Sequence, residues 1–339
     1  MVENNKSNGP SDTRRLVAPE LLPALSLFPS FDFSEAILGA VRAGIAIEPQ
    51  KRPPLSPEQQ AVACEQQLVP GPPGAPDVRV LVYTPPGKNG STTRPAYLHI
   101  HGGGYVIGTP EINDGSNRSI AAELDCVVVS VDYRLAPETR FPGALEDCYA
   151  ALLWLHTKAG QLGVDRTRIA IGGESAGGGH AAALAILARK RGEVQIRLQL
   201  LDSPMLDDRT GSTSDPHPHC GKLVWTANSN RFGWHSLLGT EPGGPEIPVE
   251  AVPARASELS GLPPTFISVG ALDLFLEEDL EYARRLIRAG VPTELHVIPG
   301  AYHGFGIAGG QAPQVQGYLR LRREALGRAL AASNSNLTA

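Results

Sequence analysis

The sequence is short of positive charge. Among its 339 residues, 30 Lys and Arg stand against 35 Asp and Glu, a formal net charge of −5. A nucleic-acid surface calls for a basic excess and an anionic membrane for a basic run; the sequence offers neither. Long apolar runs are also lacking. The most apolar early stretch, residues 21–47, is broken by Pro23, Pro29, Asp32, Glu35 and Arg42. No uncharged run of about 18 apolar residues exists, so no membrane span is expected. The first fifteen residues (MVENNKSNGPSDTRR) are polar and carry no apolar h-region. They predict no secretory signal, and disorder over residues 1–15. Cysteine is scarce: Cys64, Cys126, Cys148 and Cys220 include no C-x-x-C pair. That excludes a disulfide framework. Cys126 opens an apolar run and Cys148 falls in a helical stretch, so buried free thiols and a reducing, cytoplasmic compartment are expected. No G-x-x-x-x-G-K-[ST] loop, dinucleotide fingerprint or fixed-period repeat occurs, and no cofactor is expected.

What remains is ordinary globular material, 42% hydrophobic and 19% charged. The length suits two average domains or one large α/β fold. Residues 34–47 place Ile37, Val41 and Ile45 on one helical face, with Ser34 as N-cap. Prolines punctuate 48–76, which reads as connector with one short helix or strand near 58–69. From residue 77 the texture changes. Apolar runs at 77–83, 96–101, 126–132, 168–173, 198–202, 265–270 and 294–299 suit strands, and several are apolar throughout, as strands covered on both faces are. Helical patterns fall near 113–124, 143–159, 176–191, 275–289 and 313–331. This alternation predicts a mostly parallel sheet with right-handed crossovers. Residues 204–252 break it. They read as an insertion holding one or two short helices, which could join the N-terminal helix as a cap over the strands' C-terminal edge.

Gly173-Glu174-Ser175-Ala176-Gly177 follows one predicted strand and opens a helix. Alone, the pattern also suits an N-cap serine. Between a strand and a helix it describes a sharp turn that exposes a serine hydroxyl, with small residues required on either side. His101-Gly102-Gly103-Gly104 follows another strand. A glycine run can be a plain flexible turn, but acyl transfer needs fixed N–H donors, and Gly102, Gly103 and Ala176 could supply them. A nucleophilic serine needs a base and an orienting acid. His303 and Asp273 both fall just beyond predicted strands, in the order Ser, Asp, His. Asp202 is the runner-up acid; Glu277, Glu278 and Asp279 belong to the next helix.

These motifs, with DYRLAPE at 132–138, LPPTFISVGALDLF at 262–275 and YHGF at 302–305, resemble the bacterial hormone-sensitive-lipase-like family of α/β-hydrolase esterases over roughly residues 75–330. The resemblance implies an α/β-hydrolase fold: a mostly parallel eight-stranded sheet flanked by helices, with a helical cap. It implies Ser175 as nucleophile, His303 as base, Asp273 as acid and an oxyanion hole at Gly102, Gly103 and Ala176. The expected activity is hydrolysis of short-chain carboxylic esters, with a small ester as partner. A homodimer through the last strand and helix rests on the resemblance alone. The domain reading is residues 1–55 as N-terminal cap segment, 56–203 and 253–339 as catalytic core, and 204–252 as cap insertion. Phe28, Phe31, Tyr105, Leu206, Trp225, Phe232 and Trp234 are pocket candidates, each of which also suits cap core. Glu174 departs from the Asp or Thr found in many members and reads as a solvated carboxylate. His99 and His101 share a strand face and His217-Pro218-His219-Cys220 is histidine-rich, but neither spacing places a third ligand, so no metal is expected. Asp132, Tyr133, Arg134 and Glu138 read as a polar network bracing the sheet edge.

Overall fold

The computed structural model describes residues 10–28, 31–47, 54–87, 93–212, 216–308 and 310–332. Eight strands form one sheet: β1 (Ala63–Val69), β2 (Val78–Thr84), β3 (Arg94–Ile100), β4 (Val127–Asp132), β5 (Val164–Glu174), β6 (Gln199–Asp202), β7 (Thr265–Gly270) and β8 (Thr293–Ile298). Their order is β1-β2-β4-β3-β5-β6-β7-β8. β2 runs antiparallel to β1 and β4, and the remaining pairs are parallel.

The continuous apolar runs follow from burial of both faces. In β4, Val127, Val129 and Val131 enter one core while Val128 enters the other. The first core is closed by α5 (Gly143–Thr157), α6 (Ala176–Arg191) and α8 (Leu276–Arg288), through side chains such as Leu152, Leu184 and Leu286. The second is closed by α4 (Asp114–Leu124) and α10 (Pro313–Leu330), through Ile120 and Leu326. All five predicted helices are thus present, within two residues at each end.

Four segments lie outside this alternation. Residues expected to be disordered include a short helix, α1 (Pro10–Arg14). After it, Val17 and Leu21 are buried in one cluster with Tyr302 and Val315. Residues 1–9 lie outside the described ones. The 48–76 connector contains α3 (Pro57–Gln60), closed by a capping box at Ser56, and all of β1; residues 48–53 are not among those described. The segment 34–47 forms α2 (Glu35–Ile47), where Ile37 and Leu38 donate to the Ser34 carbonyl and Leu38 is the buried contact. The side chain of residue 45 is outside the described set. The 204–252 segment holds α7 (Ala227–Leu238), and α9 (Phe305–Ala308) follows β8. Leu38, Trp225, Trp234 and Leu237 pack with Tyr105 and Met205 in a third core above the sheet edge. Among the described residues, no helix is long and apolar enough to cross a membrane.

Parallel register aligns the C-terminal strand ends. Ile100 pairs with Gly173, Glu174 with Asp202, and Gly270 with Ile298. The loops beginning at residues 101, 175, 203, 271 and 299 therefore leave from one edge.

Candidate active site

Ser175 occupies the turn between β5 and α6 with φ 55° and ψ −121°. Such a conformation is strained for a residue with a side chain and persists only when its surroundings over-determine it. Its N–H donates to the Asp202 carbonyl at 2.8 Å, and its carbonyl accepts from Met205 and Gly179 at 3.0 Å each. The flanking glycines have a steric cause. A Cβ on Gly173 or on Gly177 would lie 2.1 Å from the Ile100 carbonyl oxygen. The sequence pattern thus reflects how closely the turn presses on β3.

His303 and Asp273 reach this turn from the loops after β8 and β7. The Asp273 Oδ2 atom lies 2.8 Å from His303 Nδ1, and His303 Nε2 lies 2.9 Å from Ser175 Oγ. A carboxylate only accepts, so Nδ1 carries the hydrogen and Nε2 is left to accept from the serine hydroxyl. The other Asp273 oxygen accepts from the Phe275 N–H at 3.0 Å. Asp273 is fully buried and His303 is 7% exposed, so bulk water screens this chain of bonds little. The Phe275 ring meets the imidazole edge-on at 5.1 Å.

The glycine loop lies beside the serine. A Cβ on Gly102 would fall 2.9 Å from the Glu174 carbonyl oxygen and 3.4 Å from the Ser175 Cβ. Gly103 has φ 129°, and its carbonyl accepts from Val106 and Ile107. Arg42 on α2 grips the next turn. It donates Nε to the Val106 carbonyl at 2.8 Å and Nη2 to the Ala136 carbonyl at 2.7 Å, and pairs with Glu138. His101 stacks on Tyr133 at 4.3 Å and bonds the Gly102 carbonyl through Nδ1. Burial lowers its pKa to about 4. His180, packed against Tyr105 and Tyr133, is lowered by burial to about 3.

Several expectations need correction. Glu174 is not a solvated carboxylate. It lies 3.0 Å from His99 Nε2 and 3.1 Å from Arg322 Nη2. Burial opposes its charge, yet these two partners bring its pKa down to about 2. Asp202 does not serve His303: it pairs with Arg322 at 2.7 Å and accepts from Ser268. Burial outweighs Arg322 and raises the Asp202 pKa to about 6. His99 and His101 do not converge; His99 meets Ser130 and Glu174, while His101 lies past the end of β3. The DYRLAPE residues form separate anchors rather than one network. Asp132 meets Arg79, Tyr133 bonds the His101 carbonyl, Arg134 meets Asp147 and Glu138 meets Arg42. Glu278 and Asp279 do lie on α8, but buried, and desolvation holds both carboxyls well above the ordinary range.

The pocket candidates scatter. Tyr105, Leu206 and Trp234 are buried core, and Tyr105 donates to the Met205 carbonyl. Phe232 borders a surface hollow with Arg231 and Glu241. Phe28 packs on Tyr302, and Phe31 is exposed. Trp225 borders the site, 6.1 Å from His303. His217 Nδ1 accepts from the His219 and Cys220 backbones, and no cluster of three metal-ligating side chains occurs among the described residues.

The sheet order and this edge define a class that comparison with known proteins identifies. A profile described as the alpha/beta hydrolase fold matches residues 97–307. The chain belongs to that family, in its hormone-sensitive-lipase-like branch. A relative named Esterase LipI, from Mycobacterium tuberculosis, is 35% identical over 301 residues, 88% of this chain and 91% of that protein. Carboxylesterase NlhH from the same species is 34% identical over 307 residues, 87% of this chain and 91% of its own. Among solved structures, one titled Bacterial Heroin Esterase superposes with a TM-score of 0.86 at 39% identity, covering 94% of this chain and all of the other.

Proposed function

We propose that this protein is a serine carboxylesterase acting on short-chain esters through an acyl-enzyme. One observation carries the proposal: the unbroken chain from Asp273 through His303 to the Ser175 hydroxyl, with bonds of 2.8 and 2.9 Å. Esterase names among the relatives support it.

In this reading Ser175 Oγ attacks the ester carbonyl while His303 Nε2 takes its proton. Asp273 fixes the imidazole tautomer and stabilises the imidazolium. The N–H groups of Gly102, Gly103 and Ala176 face the developing oxyanion, each donor worth about 2.7–4 kcal/mol. His303 returns the proton to the leaving alcohol, and water then releases the acid. Residues 1–55 and 204–252 serve as cap and the rest as catalytic core. A second copy would dock along β8 and α10. The free thiols of Cys64, Cys126, Cys148 and Cys220 accord with a cytoplasmic setting. Ser175→Ala tests the proposal: turnover of a chromogenic acetate ester should fall by roughly 10⁴-fold or more with the fold intact. Retained turnover would exclude this nucleophile.

A further inference from the structure

Successive aromatic contacts lead from His303 to the surface. Trp225 lies 6.1 Å from the imidazole, tilted by 40°. Phe33 lies 5.6 Å from Trp225, and Phe31 lies 5.8 Å from Phe33, edge-on. Exposure rises outward, from 6% at Trp225 to 43% at Phe31. The inner end also touches the glycine loop, since a Cβ on Gly104 would fall 2.2 Å from the Trp225 ring.

Local structure holds these rings in place. Val224 has φ 62°, a conformation that a β-branched residue adopts only under constraint. The Trp225 N–H bonds the Leu223 carbonyl at 2.8 Å, and its indole N–H donates to Asn230 Oδ1 at 3.2 Å. Phe33 comes from a distant part of the chain, yet its N–H donates to Ser229 Oγ at 3.0 Å. The neighbouring Asp32 carboxylate accepts from Thr226 and Asn228. Two chain segments are thereby pinned into one wall.

The chemistry decides which half of the ester meets it. His303 must hand its proton to the leaving oxygen, so the leaving group lies against the imidazole. Phe275, fully buried, closes one flank of that ring. Trp225 borders it as well, and Phe33 and Phe31 lead on from Trp225 to the surface.

We propose that Trp225, Phe33 and Phe31 form the leaving-group wall, and that the preferred substrates are esters of flat apolar alcohols, whose rings stack along it. This inference rests on the esterase reading. The test compares kcat/KM for benzyl and methyl acetate, whose alcohols have similar acidity, with kcat/KM for ethyl hexanoate and ethyl acetate. The native enzyme should favour benzyl over methyl acetate by at least roughly tenfold. Trp225→Ala should lower that ratio by about tenfold, chiefly through KM, while Trp225→Phe retains most of it. Phe31→Ala should lower it by about two- to threefold, and this exposed position can be changed without disturbing the fold. The hexanoate-to-acetate ratio should move by less than about twofold in each variant. A benzyl-to-methyl ratio near one in the native enzyme would overturn the inference. So would an unchanged alcohol ratio in Phe31→Ala, or a Trp225→Ala variant whose acyl ratio shifts instead. Absence of turnover on every ester by the folded native chain would refute the esterase reading itself.

Discussion

Arg322 on the last long helix lies 3.1 Å from Glu174, the residue immediately before Ser175. The same guanidinium lies 2.7 Å from Asp202, whose carbonyl receives the Ser175 N–H. One buried cation thus joins the C-terminal helix to the end of β5 and the end of β6. Removing it leaves the buried Asp202 and the half-buried Glu174 without the cation they share. Arg322→Met should cost about 3–5 kcal/mol of stability, measured by urea unfolding, and adding Asp202→Asn should recover part of the loss. Equal stability of native and Arg322→Met proteins would contradict this role.

Arg42 on α2 holds the turn after Gly102 and Gly103, the glycines proposed to bind the oxyanion. Arg42→Ala frees the Val106 carbonyl, and with it the turn whose N–H bonds Gly103. Because the loop's geometry matters most in the transition state, kcat should drop by roughly tenfold or more while KM moves less. An effect confined to KM would show that α2 shapes binding alone.

Burial holds His101 and His180 neutral, with pKa values of about 4 and about 3 against an ordinary 6.5. Below pH 6.5 the unfolded chain binds protons that the folded chain refuses. Stability is therefore fully present above 6.5 and is lost as pH falls through the two folded values. His180→Phe should flatten this fall by about 4 kcal/mol between pH 7 and pH 3, read from urea midpoints. Parallel pH profiles for the two proteins would rule the explanation out.

Gly177→Ala sets two effects against each other. Alanine in a helix normally gains about 1 kcal/mol over glycine. Here the new Cβ would lie 2.1 Å from the Ile100 carbonyl oxygen, a backbone atom that cannot step aside. The clash should win, so both melting temperature and turnover should fall, the latter by roughly 100-fold. A stabilised, active variant would mean the turn is looser than described.

The strands and long helices were legible because burial of both sheet faces leaves continuous apolar runs, as in β4 and β7. The convergence of Ser175, Asp273 and His303 was legible because all three follow strands that end on one edge of a parallel sheet. Arg322 was not. A lone arginine in an amphipathic helix looks the same whether it meets water or a buried carboxylate. Glu278 and Asp279 were legible as part of the helix after β7, but their burial was not, because acidic residues at a helix start usually face solvent. Phe33 went unnamed because its place beside Trp225 depends on side-chain bonds to α7, nearly two hundred residues along the chain. The burial of Val17 and Leu21 depends likewise on distant partners, Tyr302 and Val315.

The most direct measurement is covalent labelling with a fluorophosphonate, followed by mass-spectrometric mapping of the adduct. The phosphonyl group should map to Ser175 alone, and His303→Ala should slow its attachment by orders of magnitude. An adduct on another residue, or ester turnover that survives full occupancy of Ser175, would contradict the account.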